Sequence, residues 1–207
     1  SGVARLYYVL AQDYLYEDAY RNVVFLDNHD LSRIFGNLER DVTKMKSALT
    51  MLMTMRGIPM LYYGTELGMT GSGGAFGEGG RRDFPGGWPK DRENKFKEKD
   101  RTEEEQDIFT HLQRLATYRK NSKALQSGKL VQYIPENGIY VYFRYDQEQT
   151  LMVAYNSNGE AATLNTARFE QYLSGYSSAY NVGTQQTVNA LEQLEIPAHG
   201  SVLLELR

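Results

Sequence analysis

The sequence predicts two architectures in succession: an α/β part, then an all-β antiparallel sandwich. Three observations carry that expectation. Two short apolar runs flank an apolar helical stretch, a long glycine-rich loop follows them, and near Lys129 the hydrophobic period changes from about 3.6 to 2. The composition permits both parts, since 41% hydrophobic residues suffice for a real core and 24% charged residues is ordinary for a globular chain.

Val3, Leu6, Leu10 and Tyr14 recur at near-helical spacing and predict an amphipathic helix over 3–20. Val23-Val24-Phe25-Leu26 is then wholly apolar and β-rich, and it stops abruptly at Asp27-Asn28-His29-Asp30. A strand buried on both faces of a parallel sheet has this pattern, with its polar end emerging at the rim. Asp41 is placed to cap a helix running to about Arg56, apolar around most of its circumference, with Gly57 as its C′ stop. Pro59 opens a second strand, Met60-Leu61-Tyr62-Tyr63, ending at Gly64. Strand, helix and strand over this length make one βαβ unit.

Residues 68–101 are rich in glycine and charge, a long loop behind the C-terminal end of a parallel strand, where α/β enzymes place their sites. Thr102 and Glu105 form a capping box for a helix to about Lys120, striped by Ile108, Phe109, Leu112, Leu115 and Ala116. Beyond Lys129, residues 139–145, 150–155 and 201–206 read as strands. Asn137-Gly138 and Asn158-Gly159 read as hairpin turns. The boundary falls near Asn121–Gly128, so residues 1–124 form the α/β part and 125–207 the sandwich.

Several function classes are disfavoured. A net charge of −3 without a dense Lys/Arg run argues against nucleic acid as a partner. The absence of cysteine removes disulfides and thiolate metal sites, and three histidines leave little for a transition metal, so no metal ligand is assigned. No stretch approaches the roughly 18 apolar residues of a membrane span, and no signal peptide is visible. Gly71-x-Gly73 is followed by Phe76 where a dinucleotide fingerprint needs glycine, and no Gly-Lys-Ser/Thr appears, so the loop is not a nucleotide loop. Sixteen tyrosines suit either sugar-binding surfaces or half-buried strands, and the strands account for most of them.

The Asn28-His29-Asp30 cluster is the candidate site. With the preceding Asp27 it puts two acids, an amide and an imidazole at a strand end, types that suit sugar hydroxyls, although polar strand ends also occur without function. Arg33 is an ion-pair partner for Asp30 or Asp27, or a surface charge. His111 and His199 read as structural or exposed.

Phe25-Leu26-Asp27-Asn28-His29-Asp30 resembles the motif F-x-x-N-H-D that ends the seventh barrel strand of α-amylase-family glycoside hydrolases. Gly57-Ile58-Pro59-Met60-Leu61-Tyr62-Tyr63-Gly64-Thr65-Glu66 is similar to the family's eighth-strand motif, G-x-P-x-x-Y-x-G-x-E. Arg81-Arg82-Asp83-Phe84-Pro85 looks like the loop after that strand in neopullulanase- and cyclomaltodextrinase-like members. The resemblance implies the last two βα units of a (β/α)8 TIM barrel followed by the family's β-sandwich. It makes Asp30 the transition-state-stabilising carboxylate and His29 a substrate-binding residue, with Asn28 at the rim. Arg82, Asp83 and Trp88 would line outer sugar subsites, with loop solvation the simpler reading for the first two. Glu66, Tyr62 and Gly64 would be structural.

No segment resembles the family's fourth- and fifth-strand motifs, which carry the nucleophile and acid/base of a retaining glycosidase. With two barrel strands the chain is expected to be a piece of a longer protein, inactive alone, its strand pair open at both edges and less tightly folded than its sandwich. Its partners would be an α-glucan or maltooligosaccharide and the rest of the barrel. Transglycosylase or isomerase activity on the same fold, or a non-catalytic carbohydrate-binding scaffold, are the alternatives. No cofactor is implied in this chain, calcium in the longer protein stays open, and an extracytoplasmic location is implied by the resemblance alone.

Overall fold

A computed structural model describes residues 2–73 and 79–207; Gly74, Phe76 and Gly77 of the glycine-rich loop fall outside them. The first helix, α1 (Gly2–Leu10), is half the expected length, and residues 11–21 continue as single 3-10 turns at Asp13–Leu15 and Ala19–Arg21. Side chains explain the early stop. Arg56 grips Asp13 with two hydrogen bonds of 2.6 and 2.8 Å, and the Asp18 carboxylate accepts from Tyr20 N at 2.9 Å. Both hold the backbone in turns that compete with a helix.

The two apolar runs lie side by side in parallel, but only β1 (Val23–Val24) and β2 (Ile58–Pro59) form a ladder. The expected strands over 23–27 and 59–63 are therefore shorter, and they are not buried on both faces. Val23 is 53% exposed and Ile58 54%, and Phe25 and Leu61 are also exposed. A parallel strand needs a neighbour on each side, and each of these has one. Between them, α2 (Ile34–Asn37) precedes α3 (Val42–Thr54), which is capped as expected by Asp41 accepting from Lys44 N at 2.9 Å. The helix ends two residues before Arg56, so Gly57 lies past the C′ position. With φ +100 and a Cβ that would sit 2.6 Å from Asn22 O, Gly57 instead admits the close approach of β1.

The capping box opens α4 (Glu103–Asn121), whose Ile108, Leu112 and Leu115 are buried against α3, and α5 (Lys123–Gln126) follows. The sandwich comprises β3 (Lys129–Gln132), β4 (Ile139–Tyr145), β5 (Thr150–Asn156), β6 (Ala162–Asn165), a short α6 (Glu170–Leu173), β7 (Ala179–Asn181), β8 (Gln186–Val188), β9 (Gln193–Ile196) and β10 (Ser201–Leu206). Six strands order as β3-β4-β5-β10-β7-β8, antiparallel throughout, and β6 pairs with β9 as a second sheet. Alternation assigns the two faces of the large sheet. Tyr140, Tyr142, Leu151, Val153 and Leu203 join the core built with α1, α3 and α4. Ile139, Val141, Phe143, Met152, Ala154 and Leu204 form a second core with β6 and β9.

Asn137 and Gly138, at φ 51 and 77, make the expected hairpin turn. Asn158-Gly159 does not, because it carries the chain from β5 to β6 in the other sheet. Asn158 instead donates from Nδ2 to Asn137 O at 2.8 Å, tying the first turn down. No helix among the described residues is long and apolar enough to cross a membrane.

Candidate functional site

The rim beyond β1 is shaped by a buried knot beneath it. Asp27, 2% exposed, accepts from Ile34 N at 3.0 Å and from Thr65 Oγ1 at 2.7 Å. Arg33 is fully buried, with Nη1 3.9 Å from Asp27 and Nη2 donating to Tyr63 O. Its guanidinium lies 4.3 Å from the centre of the Tyr62 ring and 5.2 Å from that of Tyr63. Arg33 is thus a buried partner of Asp27, joining the end of β1 to the segment after β2. Gly64 makes room for it. Its φ is +80, and a Cβ there would meet Met69 Sδ at 2.1 Å and Arg33 Nη2 at 2.7 Å.

Above this knot, Asn28 turns the chain. Its Oδ1 accepts from Asp30 N at 2.8 Å and from Leu31 N at 3.0 Å, so the carboxamide oxygen serves the turn. The turn lifts His29 and Asp30 into solvent, their side chains 60% and 64% exposed, with His29 Nε2 3.3 Å from Asp30 Oδ2. Tyr62 lies beside them, its ring centre 6.5 Å from that of His29.

The loop after β2 supplies a cation that sequence reasoning missed. Arg81 donates from Nη2 to Asp30 Oδ1 at 3.0 Å and from Nε to His29 O at 2.9 Å. The neighbouring double arginine was the available signal; which of the two turns inward is a matter of loop conformation. Tyr63 Oη steadies the same loop by donating to Arg82 O at 2.9 Å. The described residues thus bring together Asn28, His29, Asp30, Tyr62 and Arg81. Arg82 and Asp83 line a separate cavity of about 570 Å³ floored by Phe35 and Ile108, and neither His29 nor Asp30 lines it. Trp88 is 62% exposed on a turn whose Gly86 and Trp88 amides both donate to Asp91 Oδ2.

A carboxylate in this setting keeps acceptor capacity. Each oxygen has two lone pairs and holds one neighbour, which leaves sites for hydroxyl donors. Glu66, half-buried in the 3-10 turn Thr65–Leu67, has its carboxyl pushed up by burial. No group of three or more His, Asp and Glu side chains among the described residues is arranged to hold a metal.

Two families match the sequence. Residues 4–98 match the alpha amylase catalytic domain, and residues 130–205 match the cyclo-malto-dextrinase C-terminal domain. Both regions of the chain thus match domains of α-amylase-family enzymes. It is 29% identical over 189 residues to a cyclomaltodextrin glucanotransferase of Geobacillus stearothermophilus, covering 86% of this chain and 24% of that protein. It is 32% identical to an alpha-amylase of Niallia circulans over 66% of this chain and 22% of that one. The chain therefore spans about a quarter of the length of these curated relatives. Among solved structures, the alpha-amylase of Geobacillus thermoleovorans complexed with acarbose superposes with a TM-score of 0.77 at 25% identity, covering 98% of this chain and 42% of that one. In this chain the region matching the alpha amylase catalytic domain is followed by an antiparallel sheet domain, and the Geobacillus thermoleovorans structure superposes across both.

Proposed function

We propose that this chain supplies part of the sugar-binding centre of a retaining glycoside hydrolase acting on α-glucosidic bonds of starch-like glucans or maltooligosaccharides. The observation that carries the reading is the exposed His29–Asp30 pair, held at the C-terminal end of a parallel strand with Arg81 fixing one carboxylate oxygen. The substrate-binding rim of an α/β barrel lies at that end of its strands. Asp30 receives hydroxyls of the sugar being cleaved and stabilises the positive charge that develops on it, and His29 hydrogen-bonds the same ring. Asn28 holds the turn, while Arg82, Asp83 and Trp88 contact outer sugar units. The nucleophile and acid/base come from barrel strands that must join the open sides of β1 and β2, with residues 1–124 as barrel and 125–207 as sandwich.

The test joins this chain to the preceding barrel strands and measures maltooligosaccharide cleavage. Asp30→Asn is expected to lower kcat by ~10²–10³-fold with folding intact, and the 207-residue chain alone to release no reducing sugar. An Asp30→Asn enzyme with full activity would overturn the assignment. Glycosyl transfer is the second reading, favoured by the relatives named cyclomaltodextrin glucanotransferase; product analysis at high acceptor concentration separates the two.

A further inference from the structure

The two members of the His29–Asp30 pair are held unequally by polar contacts. Arg81 fixes the Asp30 carboxylate from the loop after β2, with Nη2 on Oδ1 at 3.0 Å. The His29 ring has no comparable grip. Its Nε2 stands 3.3 Å from Asp30 Oδ2, longer than the roughly 2.7–2.9 Å of a charge-assisted hydrogen bond, and the side chain is mostly exposed. An exposed imidazole so loosely tied changes rotamer unless something packs against it.

Tyr62 packs against it. The two ring centres are 6.5 Å apart with a tilt of 54°, inside the roughly 4.5–7 Å of aromatic pairs. Tyr62 is itself fixed from several directions. The Arg33 guanidinium lies 4.3 Å from its ring centre, the Tyr63 ring is 4.5 Å away, and its carbonyl accepts from Thr65 N at 3.1 Å. The contact with Arg33 is a strong one for a physical reason. That guanidinium is fully buried, its Nε and Nη1 have no hydrogen-bond partner among the described residues, and Asp27 is 3.9 Å from Nη1. A desolvated cation so thinly paired gains most from an aromatic face.

We infer that Tyr62 is a positioning residue, whose ring, backed by the buried Arg33, sets the imidazole of His29 toward the sugar. The inference rests on the sugar-binding reading of this rim, and it gives Tyr62 a part in binding where the sequence implied a structural one. Order passes outward from a fully buried group to an exposed one: Arg33 fixes the Tyr62 ring, and that ring limits His29. The ring and not the hydroxyl carries the role, because both neighbours are placed against the ring. A side chain ordered in advance spares the ligand the cost of ordering it.

The isotope-labelled 207-residue chain reads the positioning directly, through three-bond couplings about χ1 of His29. Wild type and Tyr62→Phe are expected to hold one rotamer. Tyr62→Leu fills the space beside Arg33 without a flat face, and its His29 is expected to average several rotamers while the amides of β4 and β5 keep their shifts. In the chain joined to the preceding barrel strands, Tyr62→Leu is expected to lower kcat ~10-fold, less than the roughly 10²-fold that a misplacement of about 1 Å can cost. KM stays nearly unchanged, because the His29 contact tightens as charge develops on the sugar, and Tyr62→Phe keeps the wild-type rate. A His29 that averages in wild type, one still fixed in Tyr62→Leu, or a Tyr62→Phe variant as impaired as Tyr62→Leu each overturns the inference. A joined enzyme inactive on maltooligosaccharides, in which His29 still loosens on Tyr62→Leu, counts against the proposed function and leaves the positioning standing.

Discussion

The ladder between β1 and β2 and the six-stranded sheet are both built from Val-, Leu- and Tyr-rich runs, yet they end in opposite states. The first is a two-residue parallel pair whose Val23 and Ile58 are half exposed, whereas in the second Tyr142, Met152 and Val153 are fully buried. Composition does not separate them; pairing does. An antiparallel sheet closes through neighbours a short turn away, while a parallel strand needs partners delivered by long crossovers. The sandwich has its partners within the chain. The strand pair keeps an apolar groove of about 370 Å³ along β1, lined by Leu6, Val9, Phe25 and Met51.

Amide hydrogen exchange tests this contrast most directly. The amides of Met152 and Val153 are expected to exchange only through global unfolding, and those of Ile58 and Met60, which donate to Asn22 O and Val24 O, through local opening at a cost several kcal/mol lower. Equal protection in both places would break the comparison.

The next effect lies at the joint between the regions. Arg144 is fully buried and donates to four carbonyls, those of Thr54, Met55, Leu125 and Gly128. Arg119 reaches the same helix end through Met53 O and Gly57 O. The sandwich thereby holds the C-terminus of α3, from which the chain turns into β2. Arg144→Met leaves those carbonyls dry and is expected to cost roughly 3–5 kcal/mol in urea denaturation. A wild-type midpoint would show that the joint is not what couples the two regions.

A pH effect sharpens the helical layer. His111, bonded to Thr50 Oγ1 and Lys46 O at 3.0 Å, has its imidazole pushed down to about 4, first by burial and then by the Lys46 charge. The native state keeps it neutral where the unfolded chain, titrating near 6.5, takes up a proton. Its contribution is therefore full above pH 6.5 and falls away toward pH 4, by roughly 2–3 kcal/mol. His111→Gln is expected to remove that part of the pH dependence, and identical profiles would refute it. The smallest effect belongs to Lys123–Glu148, a 3.2 Å pair exposed on both sides, where Lys123→Ala should change stability by less than about 0.5 kcal/mol.

Much of the fold was legible because local rules governed it. Thr102 and Glu105 announce the start of α4, Asp41 that of α3, and the β-branched and aromatic run over 139–145 marks β4, which is buried on both faces. The misreadings arose where side-chain contacts or another part of the chain override the pattern, or where an element is too short to show one. Asp13 and Asp18 stop α1 through partners no helical pattern reveals, Asn158-Gly159 has the composition of a hairpin but feeds a different sheet, and strands of three or four residues such as β7 and β8 are too short for periodicity to mark.

The site divides in the same way. The sequence by itself determined that Asn28, His29 and Asp30 follow directly on an apolar run, because residue order places them there, and the motif pair carried the resemblance to the α-amylase family. Only the tertiary structure decided that Arg81 rather than Arg82 meets Asp30, that Arg33 belongs to Asp27, and that Tyr62 lies beside His29. The contacts of Tyr62 with His29 and of Arg81 with Asp30 join residues about thirty and fifty positions apart, and at such separations the loop's path and the packing beneath it set the neighbours, not the local sequence.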